Sequence, residues 1–141
     1  MNIGRILLGG VIAGLVINVV EWVVHGLLLK ERWEQAMKEL GRGAFGVRAI
    51  ILFWIVGFAY GIALAWLYAM IRPRYGAGPK TAIWAGLYLW LVASLLVVVS
   101  FSPMRLWPTN LTIIAVIVSL VEFLVAGLVA GYLYREAEAA A

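Results

Sequence analysis

Asn18-Val-Val-Glu21-Trp-Val-Val-His25 lies inside an otherwise apolar run from Ile3 to Leu29, and the reading of that run decides the fold. The run exceeds the roughly 20 residues that a helix needs to cross a bilayer. At about 100° per residue, Asn18, Glu21 and His25 fall on one helix face, within roughly 60° of one another. A charged group near the middle of a membrane span costs on the order of a few kcal/mol. Something in the fold or the function must offset that cost. The opening Met1-Asn-Ile-Gly-Arg5 has the outline of a signal peptide. The apolar run is too long for one, however, and lacks a small-x-small cleavage site before the polar loop, so a retained membrane helix is expected.

The composition agrees. Of 141 residues, 65% are hydrophobic and 13% charged, the latter about half the usual share for a soluble domain. A soluble chain of this size has too little interior to hide so much apolar surface, and lipid is its natural solvent. One domain, 1–141, fits the length. The absence of cysteine excludes disulfides, Cys-ligated zinc, iron–sulfur clusters and thiol catalysis. With no Asp and a single His, a His-rich metal site is excluded too. The formal charge of +4 does not point to nucleic acid. Its basic residues lie between apolar runs, where they meet lipid headgroups.

Four apolar segments, at about 3–29, 49–71, 81–101 and 111–134, are each long enough to span. Lipid offers no partner for backbone N–H and C=O groups, so each must be a helix. Short connections then predict an all-α, up-down-up-down four-helix bundle, integral to the membrane. Between the first two spans, residues 31–40 place Trp33, Ala36, Met37 and Leu40 at helical spacing, opposite Glu31, Arg32, Glu34, Gln35, Lys38 and Glu39. That pattern predicts an amphipathic helix in the membrane interface, with Glu34 and Lys38 as an i,i+4 pair. Gly41 is its expected C-cap, and residues 42–46 form a hinge. The second loop, Arg72 to Lys80, reads as a tight basic turn. The third, Ser102 to Pro108, is punctuated by prolines and sets Trp107 at headgroup depth. Residues 135–141 are expected to carry the last helix into water. Five Lys/Arg on the side of both termini face six on the other. The charges closest to span ends favour both termini in the cytoplasm of a bacterial cell, with the chain in the cytoplasmic membrane.

Lipid tails are as apolar as leucine, so association of such helices relies on close packing and polar contacts. Gly10 and Gly14, Gly57 and Gly61, and Gly127 and Gly131 are small-xxx-small pairs, and Ala82 and Gly86 form a milder one. They predict a tight bundle or an oligomer. Trp33, Tyr75, Trp84, Trp107 and Tyr134 fall near span ends, as an aromatic belt requires. Trp54, Trp66, Tyr88 and Trp90 lie deeper, where packing is their expected role rather than a pigment or quinone cage.

The fourth span echoes the opening motif: Ser119-Leu-Val-Glu122-Phe123 followed by Gly127 parallels Asn18-Val-Val-Glu21-Trp22 followed by Gly26. Two antiparallel helices carrying these stretches bring both carboxyls near His25 and Asn18. No Lys or Arg lies in the middle of a span, so one glutamate is expected to be protonated or balanced by an imidazolium at His25. Glu21 and His25 are placed to meet at i,i+4, and Lys30, Arg48 or Arg105 can reach in from the same side.

Three functions fit. The favoured one treats the polar groups as interhelical glue in an accessory or structural subunit of a larger membrane assembly, or in a homo-oligomer. The second is a small transporter or proton-conducting unit with Glu21, Glu122 and His25 along the path. The third is a haem- or chlorin-binding subunit ligated by His25, which requires an open axial position or a second subunit. No nucleophile–base pair, metal motif or phosphate loop is visible, so an enzyme is not expected.

In plan the chain resembles the small bacterial four-helix membrane proteins grouped as domains of unknown function. The likeness rests on a first span ending in a Trp/His-containing polar stretch, on Lys30-Glu-Arg-Trp33-Glu-Gln-Ala-Met37, and on Gly-rich later spans. It covers most of the chain and implies a fold and a membrane address, without an activity.

Overall fold

A computed structural model describes residues 1–135 of the chain. Among them there is no strand. Six α-helices follow one another: α1 (Ile3–Glu21), α2 (Lys30–Glu39), α3 (Val47–Tyr75), α4 (Pro79–Trp90), α5 (Leu96–Phe101) and α6 (Thr109–Leu133). A π-helical stretch, Trp22–Leu28, prolongs α1, and a second, Leu91–Leu95, joins α4 to α5. Four continuous helical rods result, Ile3–Leu28, Val47–Tyr75, Pro79–Met104 and Thr109–Leu133, each long and apolar enough to cross a membrane.

The rods start or stop a few residues from the expected positions, and local chemistry says why. Pro79 occupies the first turn of α4, where its missing N–H costs nothing, so that helix begins two residues early. α3 outlasts its apolar stretch by one polar turn, through Pro73 to Tyr75. It stops at Gly76, whose φ of 85° ends the helix, and Gly78 at φ 128° completes the turn. Thr81 ties that turn down by donating its hydroxyl to the Gly76 carbonyl at 2.7 Å. α2 ends in a Schellman motif: Gly41 is left-handed at φ 70°, its N–H bonds the Lys38 carbonyl, and the Arg42 N–H bonds that of Met37. The expected continuation of the last helix falls on residues 136–141, outside the described residues; before them, α6 stops at Leu133 and Tyr134 is extended.

The rods alternate in direction around a square. α1 packs on α3 and α6, α4 packs on the same two, and α3 touches α6 across the middle. The glycines decide how close they come. A Cβ on Gly10 would stand 2.6 Å from the Ile62 Cα, and one on Gly14 2.7 Å from that of Phe58. A Cβ on Gly61 would run into the backbone of Gly10 and Gly14. Across the bundle, Gly127 lies against the Ala82 carbonyl, Gly86 against that of Phe123, and Gly131 against Ala82 and Tyr68. All six glycines of the expected pairs are therefore spent inside one chain.

This packing seals the half of the bundle nearer the termini. Ile6, Ala13, Leu64, Ala65, Tyr68, Ala85, Ala126 and Ala130 form its core. The Tyr68 hydroxyl accepts the Gly78 N–H at 3.1 Å, and the Tyr134 hydroxyl accepts that of Asn2 at 3.2 Å. At the opposite end the rods part. Residues 50–56 of α3 are exposed all round, and α5 packs chiefly on its own neighbours in sequence. α2 turns its apolar side onto the chain, burying Ala36 and Met37. The outer surfaces of the rods carry exposed Leu, Ile, Val and Phe, such as Leu8, Leu15, Leu52, Phe53, Ile113 and Ile117.

If the close approach of α1 and α3 holds the sealed half together, Gly61→Leu should cost at least the ~1–3 kcal/mol of an overpacked core. The thermal unfolding midpoint in detergent should fall accordingly. Gly46→Ala, in open space, should leave the midpoint where it is. Equal midpoints for wild type and Gly61→Leu would contradict this packing.

Candidate functional site

Where the rods part they enclose a cavity of about 840 Å³, open on the side of the first and third loops. Its floor is the polar cluster. Both π-helical stretches border it, Trp22, His25 and Gly26 from one and Ala93 and Ser94 from the other. Interruptions of this kind are frequent at functional sites.

Asn18, 3% exposed, sits at the crossing of α1 and α3. Its Nδ2 donates to the Trp54 carbonyl at 3.1 Å, and its amide fills the space that a side chain at Gly57 would need. The amide thus staples α1 to α3 just above the glycine contact. Glu122, also 3% exposed, lies about midway along α6 and faces Glu21, near enough for the two carboxyls to hydrogen-bond. Its Oε2 has no hydrogen-bond partner among the described residues. Glu21 is 47% exposed, and its Oε1 stands 3.7 Å from Nε2 of His25. The i,i+4 approach of Glu21 and His25 is therefore present, and the antiparallel echo does bring the two carboxyls together.

His25 also has a partner from outside its own helix. The Trp33 indole N–H, from α2, donates to His25 Nδ1 at 3.0 Å. An indole N–H only donates, so Nδ1 accepts and the ring is the neutral tautomer with its proton on Nε2, toward Glu21. This bond favours the expected alternative of a protonated glutamate over that of an imidazolium. Trp33 is itself held edge-on by Trp107, with ring centroids 5.5 Å apart. With Nδ1 bonded to Trp33 and Nε2 facing the Glu21 carboxyl, haem or chlorin ligation is not carried forward. The nearby cations do not reach in either: Lys30 lines the mouth of the cavity and pairs with Glu34 at 3.8 Å, and neither Arg48 nor Arg105 lines it. No group of three or more His, Cys, Asp or Glu side chains among the described residues is placed to hold a metal ion.

Ser119 belongs to a second staple. Its hydroxyl donates to the Val116 carbonyl at 2.9 Å and meets that of Ser94 at 2.7 Å, so Ser94 supplies the proton between them. The Trp90 indole donates to the same Val116 carbonyl at 3.0 Å. Ser94, Trp90 and Trp33 thus join the site, though sequence reasoning gave them no polar role. Ser94 carried a usable signal as a hydroxyl in the middle of an apolar span. The partners of the two indoles left no trace in the sequence. Tyr60 completes the floor, edge-on to Phe123 at 5.6 Å.

No family model, curated protein or solved structure matches this chain.

The site is a pair of facing carboxyls with an imidazole beside them, open on the side of the first and third loops. Such a pair can take up and release a proton without metal or cofactor. Because the chain has a single histidine, ring-nitrogen NMR reads the Trp33 contact without ambiguity. Wild type should show the Nε2–H tautomer alone. Trp33→Phe should give a tautomer mixture and lose about 1 kcal/mol of stability. Unchanged nitrogen resonances would contradict the Trp33–His25 bond.

Proposed function

We propose that this is a small integral membrane transporter or proton-conducting unit, in which Glu21 and Glu122 exchange the proton and His25 relays it from the open side. The observation that carries this reading is the nearly complete burial of the Glu122 carboxyl, at the floor of a cavity, against a second carboxyl and with one oxygen unpartnered. Mere glue would satisfy its own hydrogen bonds, as Asn18 and Ser119 do. Intramembrane carboxyls that face a cavity mark ion and proton paths. The apolar outer surface of the rods supports insertion in lipid, with α2 at the interface and both termini in the cytoplasm of a bacterial cell. The cavity then opens to the outside, and the glycine-packed half is the barrier.

A second reading, an accessory subunit or a homo-oligomer, draws on one observation: the start of α3, residues 50–56, whose side chains all remain exposed. The glycine faces give it no help, since they are used within the chain.

Liposomes holding the purified protein should dissipate an imposed pH gradient. Glu122→Gln and Glu21→Gln should slow that flux at least tenfold while circular dichroism stays unchanged. A flux that ignores both substitutions, or none from wild type, would sink the proton-path reading. Foreign subunits co-purifying in fixed ratio would then favour the second.

A further inference from the structure

The cavity is far larger than a proton needs, and its lining is of two kinds. At the floor are the two carboxyls; above and around them are aromatic rings, Trp22, Trp54, Tyr60 and Phe123 among them. Trp22 and Trp54 are not spent on the core, since both remain exposed. A volume of about 840 Å³ suits a drug-sized organic molecule. Acid at the floor with ring faces on the walls fits one class of charge, because aromatic faces attract cations. The unpartnered Glu122 oxygen is the polar atom such a molecule would find at the bottom.

We propose that the cavity binds a hydrophobic organic cation, an amine or a quaternary onium, with its charge at the Glu21–Glu122 pair and its apolar body against the aromatic walls. This rests on the proton-exchange reading and names the substrate class of the same site. The exchange balances: the cation enters, the O–H bond of the protonated carboxyl breaks, one proton leaves, and the net charge of the site is unchanged. The titratable and charged groups that face Glu122 are Glu21 and His25 from the first rod, Tyr60 from α3, and Lys30 and Glu34 at the mouth. The third rod contributes only the Ser94 hydroxyl. Lys30 and Glu34 pair with each other, which leaves the glutamate pair to meet the cation.

Tetraphenylphosphonium and tetraphenylborate have nearly the same shape and opposite charge, so wild-type protein alone gives the decisive comparison. Calorimetric titration in detergent, with protein-free micelles subtracted, should show the phosphonium binding at least tenfold more tightly than the borate. Repeating it in buffers of different ionisation enthalpy should count about one proton released per cation. Affinity should rise with pH while the pair holds its proton, because cation and proton compete, and Glu122→Gln should abolish both the release and the rise. Equal binding of the two ions, no binding of either, or binding without proton release would overturn the proposal. If a Glu122-dependent proton flux persists in liposomes while the phosphonium fails, the substrate class is wrong and the proton site stands. If both fail, both readings fall.

Discussion

The close approach of α1 and α3 at Gly10, Gly14, Gly57 and Gly61 is the constraint on which the rest of the structure depends. In lipid no hydrophobic force draws helices together, and backbones must come near enough for dispersion and polar contacts to do so. At Gly10, Gly14 and Gly61 the backbones meet where side chains would stand, and Gly57 makes room for the Asn18 amide. Helices that cross at an angle diverge on either side of the crossing. On the terminal side, alanines and the tyrosines at the helix ends fill the gap. On the other side, large aromatic residues line the walls and the gap stays open. Asn18 sits at the boundary, its amide bonded to a carbonyl of α3. The cavity is thus a consequence of where the glycines lie along the rods.

That geometry places the costly groups. Glu122 stands in the sealed part of α6 but looks toward the opening, and Glu21 comes down to it from the rim of α1. A bundle selected only for stability could carry glutamine or serine at both positions and satisfy every hydrogen bond. The hydroxyl and indole bonds among Ser94, Ser119, Trp90 and the Val116 carbonyl show how that is done a turn away. The carboxyl pair departs from that pattern, which is the physical ground for assigning it a function beyond adhesion.

Much of this was legible in the sequence. Apolar length marked the four rods, and the four-residue glycine spacing marked their contacts. The shared helical face of Asn18, Glu21 and His25, together with its echo at Ser119 and Glu122, marked the floor of the site. What escaped depends on three dimensions. A cavity is a place where side chains from four rods fail to meet, and no single stretch records it. The π-helical stretches at Trp22–Leu28 and Leu91–Leu95 carry no proline or glycine pair to announce them. Of the two expected alternatives, a protonated glutamate or an imidazolium at His25, the first is favoured because Trp33, eight residues on, returns over the ring and donates to it. Spacing could place Trp33 on the apolar face of α2 but could not say what its N–H would find.

In the proposed function the site is open from one side of a membrane and sealed from the other. Because the chain has no cysteine, a single introduced thiol reports its own position and nothing else. Ser94→Cys, on the cavity wall, should react with a membrane-impermeant thiol reagent added to intact cells on the side of the first and third loops. Ala65→Cys, in the sealed core, should not react from either side. Labelling of the Ser94 position from the terminal side, or equal labelling of both positions, would contradict the account.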